Sequence, residues 1–104
     1  MIVYLAGKIT GDPAYRAKFA DAEMVLRELG HTVLNPAMLP DGLEYAAYLL
    51  IDEQMLRAAD AVCLLPDWRQ SAGARQERAL ARRLGKKLLR YEAIDVTRTE
   101  QKES

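Results

Sequence analysis

Four short apolar runs, Ile2–Ala6, Thr32–Leu34, Ala61–Leu65 and Lys87–Tyr91, are separated by three stretches in which apolar residues return every three or four positions. The first pattern suits a buried strand and the second an amphipathic helix. Strand and helix in alternation predict an open sheet of parallel strands with helices packed on its faces. The expected fold is a three-layer α/β/α sandwich, Rossmann- or flavodoxin-like, on a mostly parallel sheet of about four or five strands. One domain, residues 1–94, is expected to hold it, and the polar "DVTRTEQKES" of 95–104 reads as a flexible tail. Ligands of such sheets bind beyond the carboxyl ends of the strands. Those ends lead here into "AGKITGD", "NPAMLPDG" and "PDWRQSAG".

Local chemistry delimits the helices. The first is expected over Pro13 to Leu29, with Asp12 as cap, Pro13 in the first turn and Gly30 at the exit. The second is expected over Leu43 to Ala59. The third runs over Ala72 to Leu84, with Ser71 as cap and Gly85 as stop. At about 100° per residue, the third helix places Ala74, Glu77, Leu80, Ala81 and Leu84 on one side and Arg75, Arg78, Arg82 and Arg83 on the other. Glu77 thus lies inside the apolar stripe. The second helix repeats the anomaly, with Asp52 at the centre of Tyr45, Tyr48, Leu49, Met55, Leu56 and Ala59. Burying a carboxylate without partners costs several kcal/mol or forces it to take a proton. Two such acids on successive helices have two readings. They act on a ligand at the sheet edge, or they are satisfied structurally, Glu77 by Arg75 or Arg78 and Asp52 by Thr10 or a tyrosine.

Composition narrows the chemistry. A chain of 104 residues with fifteen basic and fifteen acidic side chains has no global attraction for nucleic acid or anionic lipid. The apolar run Ala46–Ile51 falls far short of the roughly 20 residues that span a bilayer, and the start "MIVYLAG" lacks a signal-peptide profile, so a cytoplasmic location is expected. The single cysteine, Cys63, lies within an apolar strand and reads as a buried thiol. With one cysteine and one histidine, His31, a metal site is not expected.

The string "VYLAGKITG", then Asp52 eight residues before Asp60, then "SAGARQE" followed by "ALARRLGKKLL", resembles the nucleoside 2-deoxyribosyltransferase-like superfamily over roughly residues 2–91. Within it, the chain is most similar to small microbial members and to the 2'-deoxynucleoside 5'-monophosphate N-hydrolases. The resemblance implies a glutamate nucleophile in a small/acidic-x-Gly-x-x-x-Glu pattern, here Ser71, Gly73 and Glu77. It implies that Tyr4 holds that carboxylate, and that Asp52 contacts the base and helps protonate the leaving nitrogen. Ser71 stands where the nucleoside transferases carry aspartate and the nucleotide hydrolases carry a phosphate-binding serine. A neutral hydroxyl at a helix N-terminus accommodates a phosphate that a carboxylate would repel. The implied activity is an N-glycosidase of a (deoxy)nucleoside 5'-monophosphate, without cofactor, and a homodimer. A deoxyribosyltransferase and a non-catalytic nucleotide-binding or scaffold protein are the alternatives. The chain departs from the hydrolase branch at Lys8 and Thr10, where that branch has serine and arginine, and at Ala79, where glycine is usual. It also ends soon after Tyr91, whereas relatives continue into a helix that completes the 5'-end of a site.

Other residues stand beside this core set. Gly7, Lys8 and Ile9 form the loop after the first strand and are expected to touch the ligand, with Lys8 adding positive charge. The Gly–Lys pair is not a phosphate loop, because residues 2 and 9 are both isoleucine where that motif needs glycine and Ser or Thr. Trp68 in "PDWRQ" is expected to be exposed beside the site, where it stacks on a base, closes as a lid or makes a dimer contact. Asp67 reads as a turn or cap residue rather than a catalyst, and the arginine row as a solvated face, with a surface for a partner or nucleic acid as its alternative. Tyr45 and Tyr48 belong either to the core or to the pocket.

Overall fold

The computed structural model describes residues 1–94, so the expected tail of 95–104 lies outside the described residues. Four strands, β1 (Ile2–Ala6), β2 (Thr32–Leu34), β3 (Ala61–Leu64) and β4 (Lys87–Arg90), pair in the order β2-β1-β3-β4. Every pairing is parallel, with Val3 opposite Val33 and Ala61, and Val62 opposite Leu88. Helices α1 (Tyr15–Glu28), α2 (Tyr45–Ala58) and α3 (Ala72–Arg83) connect them. This is the three-layer sandwich that the alternating pattern predicts.

Period-two alternation divides the core into two layers. Val3, Leu5, Ala61 and Cys63 pack with Phe19, Ala22 and Leu26 of α1. Tyr4, Ala6, Val62 and Leu64 face the opposite way, with Leu56 of α2 and Ala74 and Ala81 of α3. Cys63 is the buried thiol expected, and burial pushes its pKa up to about 12.

The helix ends follow their sequence signals closely at α1 and α3. Gly30 (φ 93°) and Gly85 (φ 70°) adopt the left-handed conformation that favours glycine. After each, the next amide bonds back across the last turn, His31 to Leu26 and Lys86 to Ala81. The start of α1 differs from expectation. Asp12 does not cap the helix: its Oδ1 accepts from the Ala14 amide at 2.9 Å, which closes a turn ahead of the helix and moves the start to Tyr15.

The strand order reverses between β1 and β3, the neighbours from which the chain departs to opposite sides. Such a switch point opens a crevice beyond the strand ends. The β1–α1 and β3–α3 loops meet there. Gly7 makes the approach possible, because a Cβ on it would lie 2.8 Å from Leu65 Cδ1.

Candidate active site

A cavity of about 1040 Å³ opens at this switch point, with Tyr4 at its floor and α2 and α3 as its long walls. Tyr4 is fully buried, and its side chain emerges on the α2/α3 side of the sheet. Its hydroxyl donates a hydrogen bond to Glu77 Oε2. Glu77 is half-buried and lines the cavity from α3. Asp52 lines it from α2, and its Oδ1 is buried without a hydrogen-bond partner among the described residues. Neither acid has the structural partner that spacing alone allowed for it: Glu77 turns to Tyr4 rather than to an arginine, and the buried Asp52 oxygen takes nothing from Thr10 or a tyrosine.

Burial governs the electrostatics. It raises the Glu77 carboxyl to about 8, with the bond from Tyr4 pulling down and the Asp52 charge pushing up. Burial alone raises Asp52 to about 6. The Tyr4 hydroxyl is raised well above its ordinary value by burial and then by the two carboxylates. The two acids and the phenol on this cavity thus all titrate above their ordinary ranges, with Asp52 and Glu77 on either side of neutrality, a condition suited to proton transfer.

Ser71 and Gly73 line the same cavity at the start of α3. Ser71 caps the helix, its Oγ accepting from the Ala74 amide at 3.1 Å. A Cβ added to Gly73 would meet only Ser71 Oγ, at 3.8 Å, so nothing in the fold itself requires glycine there. Gly7 and Ile9 also line the wall, with Thr10.

Two expected contacts are not in the cavity. Lys8 is absent from its lining. Its side chain folds over its own loop toward Gly11, and its charge helps lower the Asp12 carboxyl after the bond from Lys18 and the Ala14 amide. Trp68 is buried, not exposed. It sits in a short 3-10 turn, Trp68–Gln70, within the α2/α3-side core, and the Arg69 and Arg78 guanidinium groups lie 4.8 and 5.2 Å from its ring centroid. Its apolar ring is used up by packing, which base stacking would have needed free.

Three further side chains border the cavity from α2 and α3. Arg83 is exposed, as its place in the arginine row predicts, and it also lines the cavity. Tyr45 and Tyr48 are rim rather than core: Tyr45 is 69% exposed, and the Tyr48 hydroxyl donates to the Pro40 carbonyl at 2.6 Å. A helical projection orders residues by angle but does not say how closely each half of a helix approaches the sheet. Lys18, polar and near the start of α1, carried no signal at all, yet it ties two cavity loops together (below). Among the described residues, no group of three or more His, Cys, Asp or Glu is placed to hold a metal ion.

Residues 1–90 match the family model described as a domain of unknown function (DUF4406). The chain belongs to the DUF4406 family. No curated protein sequence matches it. Among solved structures, this DUF4406 protein is similar to a 2-deoxyribosyltransferase from Bacillus psychrosaccharolyticus, at 22% identity and a TM-score of 0.69 over 86% of this chain and 71% of that one. It is similar to a 2-desoxiribosyltransferase from Leishmania mexicana at 21% identity and a TM-score of 0.70, over 86% of this chain and 62% of that one, and so spans less than two thirds of that enzyme. A CMP N-glycosidase of Clostridium botulinum, BcmB, aligns at 22% identity and a TM-score of 0.65, over 86% and 70% of the two chains. This chain shares its fold with these two deoxyribosyltransferases and with the CMP N-glycosidase.

Proposed function

We propose that this DUF4406 protein is an N-glycosidase that cleaves the base–sugar bond of a (deoxy)nucleoside 5'-monophosphate. The observation that carries the proposal is the pairing of Glu77, held by the Tyr4 hydroxyl, with the unpartnered Asp52 oxygen on one cavity. The Glu77 oxygen not held by Tyr4 attacks the anomeric carbon. The carbon–nitrogen bond breaks, its electron pair goes to the base nitrogen, and that nitrogen takes the Asp52 proton. Water then attacks the same carbon, the glycosyl ester breaks to return the Glu77 carboxylate, and the proton of water goes to Asp52. A covalent intermediate divides one difficult displacement into two easier ones.

Ser71 favours a monophosphate over a free nucleoside, because its neutral hydroxyl leaves the α3 N-terminus open to an anion. Gly73, unrequired by packing, leaves room for it. The similarity to a CMP N-glycosidase and to two deoxyribosyltransferases is consistent with both chemistries. A homodimer is part of the proposal, supported by the apolar side chains that α2 leaves exposed, Leu49 and Leu50 among them.

Incubation with a panel of nucleoside 5'-monophosphates, followed by chromatography, should release free base. Glu77→Ala should reduce that release by at least about 10²-fold, the scale of a positioned catalytic group. Base exchange without net hydrolysis would make the protein a transferase. A melting shift with a monophosphate but no released base would make it a binding module and sink the enzymatic assignment.

A further inference from the structure

The β1–α1 and β3–α3 loops are joined by an ammonium group that the cavity does not contain. Lys18, on the first turns of α1, places Nζ 2.7 Å from the Lys8 carbonyl, 2.6 Å from Asp12 Oδ2 and 2.5 Å from Asp67 Oδ2. An ammonium has three protons to donate, and each has an acceptor. Asp67 completes the link by accepting the Lys8 amide on Oδ1 at 3.1 Å. Both polar groups of Lys8's backbone are therefore fixed by one ion pair, and the residues on either side, Gly7 and Ile9, form the cavity wall. The side chains of Lys18, Asp12 and Asp67 are only about a quarter exposed, at 25%, 24% and 23%. Beyond Asp67 the chain turns once through Trp68–Gln70 and reaches Ser71.

We propose that Lys18 is a positioning residue for the phosphate end of the site, acting through Lys8 and Asp67 to set the Gly7–Ile9 wall against the loop that presents Ser71. This rests on the nucleotide reading above. Lys18 has a second effect in the same place: it compensates two carboxylates that would otherwise stand uncompensated near an incoming dianion. Both effects fall on the phosphate and spare the base and sugar. A purely structural role would weaken phosphorylated and unphosphorylated ligands alike.

The test compares a nucleoside 5'-monophosphate with the same nucleoside by calorimetry, in wild type, Lys18→Met and Asp67→Asn. Lys18→Met should lose about tenfold in monophosphate affinity, the scale of one charge-assisted hydrogen bond, with nucleoside affinity within about twofold. Asp67→Asn separates position from charge. It removes a negative charge, so charge alone predicts tighter monophosphate binding, whereas loss of the staple predicts weaker binding. An unchanged monophosphate-to-nucleoside ratio in Lys18→Met, or tighter binding in Asp67→Asn, overturns the proposal. If wild type binds neither ligand, or binds both equally, the nucleotide reading is what fails. Hydrogen exchange at the Lys8 and Ile9 amides then decides: faster exchange in Lys18→Met at unchanged helix protection supports the staple, and unchanged exchange refutes it. Asp67→Asn measured the same way covers the case in which Lys18→Met does not fold.

Discussion

At the residue scale, the two carboxyls behave as a unit. Glu77 at about 8 and Asp52 at about 6 share a single proton across the interval between those values. The productive arrangement, Glu77 ionised and Asp52 protonated, contains that same single proton. Activity should therefore follow a bell in pH, with limbs near 6 and 8. The same burial has a consequence for stability. Between its ordinary 4.5 and its raised value, the native Glu77 keeps a proton that the unfolded chain gives up. Stability must then fall as pH rises through that window, because the native state binds more protons there. Glu77→Gln removes this penalty. Its melting temperature should match wild type at about pH 5 and exceed it by several degrees at about pH 9, while base release is lost. Melting curves at the two pH values check the sign, and a gain confined to the acid side would contradict it.

At the scale of elements, what was legible in the chain was whatever period and punctuation specify. The strands and the exits of α1 and α3 stand within a residue of their expected ends, because Gly30 and Gly85 supply the only left-handed residues those turns accept. Glu77 and Asp52 were legible as acids inside apolar stripes. Trp68, Lys8 and Lys18 were not, because their positions depend on contacts between loops far apart in the chain. Lys18 and Asp67 are 49 residues apart. Gly7 is the clearest link between element and site: a methyl group there would press on Leu65 Cβ and Cδ1 at 2.9 and 2.8 Å. Gly7→Ala should destabilise by about 1–3 kcal/mol through overpacking, measured by denaturant unfolding. It should also lower monophosphate affinity by spreading the two loops. Wild-type stability in this variant would show that Leu65 yields easily.

For the whole molecule, α2 is the unequal partner. It buries Leu56 and, just beyond its end, Ala59, while Leu49 and Leu50 remain 43% and 62% exposed. A second copy laid along this helix would cover those side chains, and a stable interface removes about 800 Å² per partner. Sedimentation should show a dimer, and Leu50→Glu should shift it toward monomer without altering the cavity lining, which excludes Leu50. A wild-type monomer at high concentration would end the dimer proposal. The layering of β1 has its own consequence. Tyr4 is both the floor of the cavity and a core residue between β2 and β3, while the facing wall is the upper half of a helix with little burial of its own. Opening free energies follow such differences in burial. In a single copy the α2 wall is therefore the part of the site that opens most cheaply, and a partner laid along it would stiffen that wall while leaving the Tyr4–Glu77 pair beneath it unchanged.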